Sequence, residues 1–299
     1  VVLDRLAEAK ILKITVSGGE PLVHPQFGQL WKEIHSRPFR IELNTNGTLL
    51  TDDRIDEILG AGPRLSDVMI SLDGHDSGSV DSIRGRGTFR ALDDSLRRLR
   101  RRGISPGFSC TVNRLNKGEV EDIIRYAGRF GSWIKFTPTV GCNPSVDTEI
   151  LLEPPEVMEL SQRLETLDGK YPITVRGPLS SISQKCGPNG SGNWPSFACG
   201  GIKSLVTVFP DGTVSPCDLL PDLVLGNILN DSLDGILDAE PTRSVLSRVA
   251  NGLENAEQCE GCPYRAGCMG GCPVYALSQP ERSDVRDPYS CWRLLHEKE

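Results

Sequence analysis

The sequence predicts a parallel α/β fold followed by a small cysteine-rich α+β region, and three observations carry that reading. Between residues 10 and 140, short apolar and β-branched runs alternate with amphipathic helical patterns, the layout of a parallel sheet. Glycine, asparagine and carboxylate motifs recur at the carboxyl ends of those runs. Behind them the cysteines crowd: only Cys110 and Cys142 precede residue 186, and the rest stand at Cys186, Cys199, Cys217, Cys259, Cys262, Cys268, Cys272 and Cys291.

A helical pattern over residues 2–10 leads into the first strand, ILKITV at 11–16. Further strands are expected at 40–44 (RIELN), 67–72 (DVMISL), 107–112 (GFSCTV) and 133–140 (WIKFTPTV). After the second strand Thr51 is placed to cap a helix, with Asp52 and Asp53 in its positive first turn and Ile55, Ile58 and Leu59 on one face. In the next helix Phe89, Leu92, Leu96 and Leu99 recur at spacings of three and four between an expected Thr88 cap and Gly103. The arginine run from Arg97 to Arg102 lies at the negative end of that helix dipole. It reads as a solvated, dipole-matched face rather than a nucleic-acid patch.

A helix at 155–167 and a short strand at 171–176 follow, and a polar Pro/Gly/Ser/Asn-rich stretch at 177–196 marks a passage. This divides the chain into a core at 1–176 and a cysteine-rich region at 177–299. A hairpin is expected across Pro210-Asp211-Gly212, leading to Cys217. The 299 residues suffice for a sizeable core, and a net charge of −7 gives no case for nucleic acid or an anionic membrane. No apolar run approaches the ~18 residues of a membrane span. Thiols in metal-type spacing, with no export signal read in these residues, make a reducing cytoplasm the expected compartment.

In parallel α/β folds chemistry collects at the carboxyl ends of strands. The first strand is followed by Ser17-Gly18-Gly19-Glu20-Pro21, glycines that admit a ligand to the backbone and a carboxylate for an ammonium group. The second gives Asn44-Thr45-Asn46-Gly47, and the third Ser71-Leu72-Asp73-Gly74, suited to a ribose. Arg84-Gly85-Arg86-Gly87 then offers a guanidinium for a carboxylate. Each motif alone is as well explained by a turn; their succession at the ends of one repeat asks for an ammonium, a carboxylate and a ribose on one ligand, as S-adenosylmethionine carries.

The second array runs Cys199-x12-Gly212-x4-Cys217, then Cys259-x2-Cys262-x5-Cys268-x3-Cys272, with Cys291 beyond. CxxC holds two sulfurs on one tight turn, and thiolate sites without histidine select iron–sulfur clusters or zinc. Eight thiolates fit two four-cysteine centres of either kind. Cys110 alternates with Phe108 and Val112 and reads as core; Cys142, at a strand's carboxyl end before Asn143-Pro144, reads as core or a plain turn, with a place near the mouth as the alternative; His24 and His75 read as surface residues making local hydrogen bonds.

In GGEP, NTNGT, SLDG and IRGRGTF the sequence resembles the radical SAM superfamily, and the cysteine array resembles its SPASM auxiliary-cluster domain. The resemblance implies a partial (βα)6 barrel. It implies that Gly18, Gly19 and Glu20 hold the methionine amino group, Ser71 and Arg84 its carboxylate, with Asn46 and Asp73 near the ribose. It implies one [4Fe-4S] cluster on Cys186, Cys199, Cys217 and Cys272 and another on Cys259, Cys262, Cys268 and Cys291. The family's CxxxCxxC is absent from these residues. The chain is therefore expected to be a fragment that begins after the first barrel strand, a third cluster belonging to the longer protein.

The function so implied is a peptide- or protein-modifying maturase, of the RiPP or sulfatase-maturase kind. It would use a 5′-deoxyadenosyl radical to abstract hydrogen from a peptide side chain, with a small redox protein as electron donor. Asp218 reads equally as the substrate's proton acceptor and as a solvated turn residue. Two rivals are a non-catalytic iron–sulfur binding protein and a zinc-stapled binding module.

Overall fold

The computed structural model describes residues 1–140, 147–177, 204–254 and 260–261. A six-stranded parallel sheet holds its strands in chain order: β1 (Lys13–Val16), β2 (Arg40–Thr45), β3 (Leu65–Ser71), β4 (Gly107–Val112), β5 (Trp133–Pro138) and β6 (Thr174–Arg176). The helices are α1 (Val2–Glu8), α2 (Phe27–His35), α3 (Asp52–Leu59), α4 (Ser77–Arg84), α5 (Thr88–Arg101), α6 (Val120–Ala127) and α7 (Pro154–Leu167). A small antiparallel sheet follows, β7 (Thr207–Val208), β8 (Thr213–Ser215) and β9 (Gly226–Asn227), then α8 (Leu233–Asp238) and α9 (Glu240–Glu254).

Side chains alternate across a strand, so the sheet has two faces of different character. Ile41 and Leu43, Val68 and Ile70, Phe108 and Cys110, and Ile134 and Phe136 are buried, with Trp31, Ile55, Leu92, Leu96, Ile123 and Val157 from the helices in the same core. The intervening positions carry Thr15, Glu42, Asn44, Asp67, Ser71, Ser109, Lys135, Thr137 and Arg176. Helices thus cover one face, and the other is mostly polar, with Met69 and Trp133 its large apolar residues, which is the sidedness of a partial barrel with its interior open to a ligand. The expected strands all form, with ends shifted by a few residues; β6 is shorter than read and joins the same sheet.

Two local expectations fare differently. Thr51 caps α3, its side chain accepting from the Arg54 amide. Thr88 does not cap α5: it is the first helical residue, and its hydroxyl donates to the Arg84 carbonyl at 3.2 Å. The cap comes from Asp81 on α4, which accepts from the amides of Gly87 and Phe89 at 2.8 Å each. Those two bonds hold the Asp81 carboxyl below its ordinary range. The hairpin turns where expected, with Gly212 at φ +84, a conformation that glycine adopts without strain.

The core does not stop at the passage. Val214, Leu225, Ile228, Leu233, Ile236 and Val245 belong to the same buried cluster as the barrel residues. At the front of the chain, Arg5 of α1 donates to the carbonyls of Ile228 at 2.5 Å and Asp231 at 2.7 Å. Among the described residues no helix is long and apolar enough to cross a membrane.

Helix α7 is tied to the loop after β4 by Glu156, which takes Lys117 Nζ at 2.5 Å and Arg114 Nη2 at 3.2 Å and closes a capping box onto the Glu153 amide at 2.8 Å. The Lys117 bond, with the Glu153 amide and Arg114, lowers the Glu156 carboxyl to about 2, against an ordinary 4.5. A carboxyl so lowered by folding stabilises the native state fully above pH 4.5, and the contribution is lost as pH falls from about 4.5 towards about 2. Urea midpoints measured from pH 7 to pH 2.5 should therefore fall less steeply below pH 4.5 in Glu156→Gln than in the parent. Parallel curves would contradict this account.

Candidate functional site

The strand ends gather on the polar face into two hubs, each built around one carboxylate. At the first, Glu20 follows the loop leaving β1. Its Oε1 accepts from the Leu22 amide at 3.1 Å and the Thr45 hydroxyl at 2.8 Å, and its Oε2 accepts from the Asn46 amide at 2.6 Å. Thr45 is buried, and its hydroxyl also accepts from the Gly47 amide at 3.1 Å. Glu20 thus locks the end of β1 to the end of β2. An ionised carboxylate has about four acceptor positions, so one remains for a cation. Asn46 closes an Asx turn: its Oδ1 accepts from the amide of Thr48 at 2.9 Å and its hydroxyl at 2.7 Å.

At the second hub Asp73, nearly buried, stands just beyond β3. Its Oδ2 receives Arg84 Nε at 2.7 Å and Nη2 at 2.6 Å, and its Oδ1 receives the Thr111 amide at 2.9 Å. The guanidinium read from the sequence as free for a ligand carboxylate is therefore anchored first by a protein carboxylate, with Arg84 at the C-terminal end of α4. Asn116 braces the same place. Its amide donates to the carbonyls of Asp73 and Thr111, both at 3.0 Å, and its Oδ1 accepts from the Asn113 amide at 2.9 Å. Sequence reasoning missed Asn116, because an asparagine between two turns looks like any other turn residue.

Between the hubs the surface is open and under-satisfied. Gly18 has φ +144, and a Cβ on Gly18 or Gly19 would meet nothing within 4 Å. In the register of β2 with β3, Thr45 lies beside Ile70, so Asn46 and Ser71 are neighbours at the next level. Asn44, two residues earlier on the same face, has its Oδ1 buried and without a donor among the described residues. Exposed backbone, an orphaned acceptor and two carboxylate-braced strand ends fit a ligand carrying an ammonium, a carboxylate and hydroxyl groups. Of the residues read from the sequence, Glu20 is bonded to the Asn46 amide and Asp73 to Arg84, while Gly18, Gly19 and Ser71 lie at the ends of the same strands.

Of the eight cysteines proposed as cluster ligands, Cys217 falls within the described residues. It follows β8, half-buried, and its Sγ accepts from the Leu219 amide at 3.5 Å. Its thiol lies 3.3 Å from Oδ1 of the exposed Asp218. Cys186, Cys199, Cys259, Cys262, Cys268, Cys272 and Cys291 lie outside the described residues, as does Cys142. Cys110 is wholly buried on the helix side of β4, and burial pushes its thiol pKa far up, so it is an inert core residue as read. His24 Nδ1 accepts from the Gln26 amide at 3.2 Å, the local bond expected of it, whereas His75 is half-buried and lies 3.2 Å from Glu119, forty-four positions away.

Residues 1–127 match the family model described as the radical SAM superfamily, and residues 199–263 match SPASM, an iron-sulfur cluster-binding domain. The mycofactocin maturase MftC of Mycobacterium ulcerans is 26% identical over 283 residues, 91% of this chain and 72% of that protein. The PqqA peptide cyclase of Gluconobacter oxydans is 24% identical over 306 residues, 99% of this chain and 82% of that protein. Among solved structures, native anSMEcpe with bound AdoMet superposes with a TM-score of 0.73 at 20% identity, over 96% of this chain and 82% of that one. That likeness shows the fold.

Replacing the Asn116 amide strands the buried Asp73 carbonyl and Asn113 amide and removes a part-buried bond to the Thr111 carbonyl. Asn116→Ala should lower the unfolding free energy by about 2–4 kcal/mol, a range set by the cost of unpaired buried polar groups. Urea denaturation at neutral pH reads it, and a loss below about 0.5 kcal/mol would mean that water takes over all three bonds.

Proposed function

We propose that this chain, a member of the radical SAM superfamily with an iron-sulfur cluster-binding SPASM region, works as a peptide-modifying maturase. The observation that carries the reading is the open diglycine at the end of β1. It is set between two carboxylate hubs on the uncovered face of the sheet and precedes a cysteine array in the chain. The relatives are named as a maturase and a peptide cyclase, which supports a peptide as the substrate here.

When bound, S-adenosylmethionine with a reduced cluster supplies hydrogen-atom abstraction from an unreactive carbon. Everything else falls to the chain's own side chains. The Gly18 and Gly19 backbone and the remaining acceptor position of Glu20 receive the ammonium end of the cofactor. Ser71 presents a hydroxyl and Arg84 its outer N–H groups to the carboxylate, while Asp73 fixes the guanidinium in direction. Asn46, held by its turn, faces the ribose side with Asp73. Cys217 would contribute to one auxiliary [4Fe-4S] cluster with Cys186, Cys199 and Cys272, and Cys259, Cys262, Cys268 and Cys291 would hold the second. Asp218, beside Cys217, is the proposed acceptor of the substrate's proton. Electrons would come from a small redox protein.

The direct test is anaerobic incubation of the reconstituted full-length protein with S-adenosylmethionine and dithionite, following cofactor cleavage and the mass of a candidate precursor peptide. Absence of cleavage by iron-replete protein would overturn the proposal.

Two variants test its parts. Gly18→Val forces a β-branched residue to φ +144 and fills the open space, so S-adenosylmethionine should bind about tenfold or more weakly by calorimetry. In Cys217→Ala, iron and acid-labile sulfide in anaerobic preparations should fall by about half of the auxiliary content, as one of two four-iron centres loses a ligand. Unchanged iron would remove Cys217 from the ligand set.

A further inference from the structure

The open face of the sheet carries charge that the fold does not use. Its carboxylates are spoken for: Glu42 pairs with Lys13 at 2.9 Å, Asp67 accepts the Trp133 indole N–H at 3.0 Å and the Gly107 amide at 3.3 Å, and Asp73 holds Arg84. Burial raises the Asp67 carboxyl above its ordinary range, so it is a poor counter-ion as well. On β5 and β6 two cations remain. Lys135 and Arg176 are register partners on adjacent strands, hence on the same face about 4.8 Å apart at the backbone. Among the described residues neither has a carboxylate or hydrogen-bond partner.

Their surroundings shape them into a receptor. Arg176 lays its guanidinium over the Trp133 ring, 4.8 Å from the centroid, and Asp67 fixes that ring by its indole N–H. A guanidinium held over an anchored indole is restricted in position, and without a hydrogen-bond partner among the described residues it keeps its N–H groups for a carboxylate, which it can take in two parallel bonds. Lys135, half-buried beside it, adds a second positive charge, and two like charges side by side are relieved by an anion between them. The row continues through Ser109, register partner of Lys135, to Ser71, register partner of Ser109. An anion at Lys135 thus lies about two strand spacings, roughly 10 Å, from the hydroxyl assigned above to the cofactor.

From this we propose that Lys135 and Arg176 form a carboxylate subsite on the open face of the sheet, at its β5–β6 edge. It would anchor the peptide substrate by an acidic side chain or a C-terminal carboxylate and so set which neighbouring residue reaches the reacting end of the cofactor. The proposal deepens the maturase reading and rests on it for the identity of the substrate, though not for the binding of a carboxylate.

The probes are four short peptides titrated into the anaerobically reconstituted full-length protein with S-adenosylmethionine present, followed by saturation-transfer NMR. They are acetyl-Ala-Glu-Ala-amide, its Gln counterpart, acetyl-Ala-Ala-Ala with a free C-terminus, and the same peptide amidated. At least one carboxylate peptide should bind tenfold or more tightly than its neutral counterpart; which one does identifies the source of the carboxylate. Lys135→Ala and Arg176→Ala should each reduce that preference at least fivefold. Arg40→Ala, which removes an exposed cation at the opposite end of β2, should leave it intact.

Equal binding of charged and neutral peptides overturns the subsite. So does a loss in Arg40→Ala as large as in Lys135→Ala, which would report general charge only. If Lys135→Ala weakens S-adenosylmethionine and peptide alike, the anion belongs to the cofactor and the substrate subsite is overturned. Cofactor cleavage with dithionite is read in the same samples. A protein that prefers the carboxylate peptide and cleaves nothing keeps the subsite and loses the maturase reading.

Discussion

The strict alternation of side chains along a parallel strand governs this molecule. Each strand has helices on one side, so every second residue must be apolar enough to join the core, as Ile41, Leu43, Val68, Ile70, Phe108, Ile134 and Phe136 do. Burying that half is worth roughly 1.5–3 kcal/mol per large side chain, far more than any single polar contact on the other face. The other half is thereby released from packing. Thr15, Glu42, Asn44, Ser109, Lys135 and Arg176 are where they are because the core does not need those positions. A one-residue slip of any strand would exchange the two sets, which is why register and site cannot be varied independently.

The released face is still held in shape by carboxylates with structural partners of their own. Glu20 joins the ends of β1 and β2, and Asp73 joins the end of β3 to Arg84 and to the carboxyl-terminal part of β4 at Thr111. Backbone amides and a guanidinium are strong partners for an ionised carboxylate, so each hub fixes side-chain direction with little residual freedom. This double use has a chemical consequence. A substitution such as Glu20→Gln disturbs the seam between two strands as well as the acceptor proposed for an ammonium group. Loss of binding in such a variant is therefore not by itself a measure of the ligand contact.

How much of this could be read beforehand follows from the range of each interaction. The strands were legible because alternation is a local pattern, and the Thr51 cap because its partner, the Arg54 amide, is three residues away. The α5 cap was not legible: Thr88 has the right chemistry at the right place, but Asp81 reaches over from the preceding helix and occupies the amides first. Arg84 was recognised as a site residue without its anchor, since its link to Asp73 spans eleven positions and needs the fold to close it. Asn116 bridges to Asp73 across forty-three positions and left no trace in any local window. The third strand of the small sheet is Gly226–Asn227, too short and too glycine-rich to show a period.

Composition and mechanics also divide the chain at different places. The polar passage beginning near residue 177 separates an α/β pattern from a cysteine pattern, yet Val214 and Ile236 share one buried cluster with the barrel, and α1 clasps the carbonyls of Ile228 and Asp231. A segment that contributes to a common core unfolds with it, so the turn bearing Cys217 is positioned by the same burial that positions the strand ends. Any relay of electrons or protons between two parts of a protein requires such a shared frame, because both depend on a fixed separation between donor and acceptor. A hinge at the compositional boundary would make that separation fluctuate; a continuous core with a charged clasp across it opposes such motion. The physical domain boundary is therefore to be sought from packing, and here packing joins what composition divides.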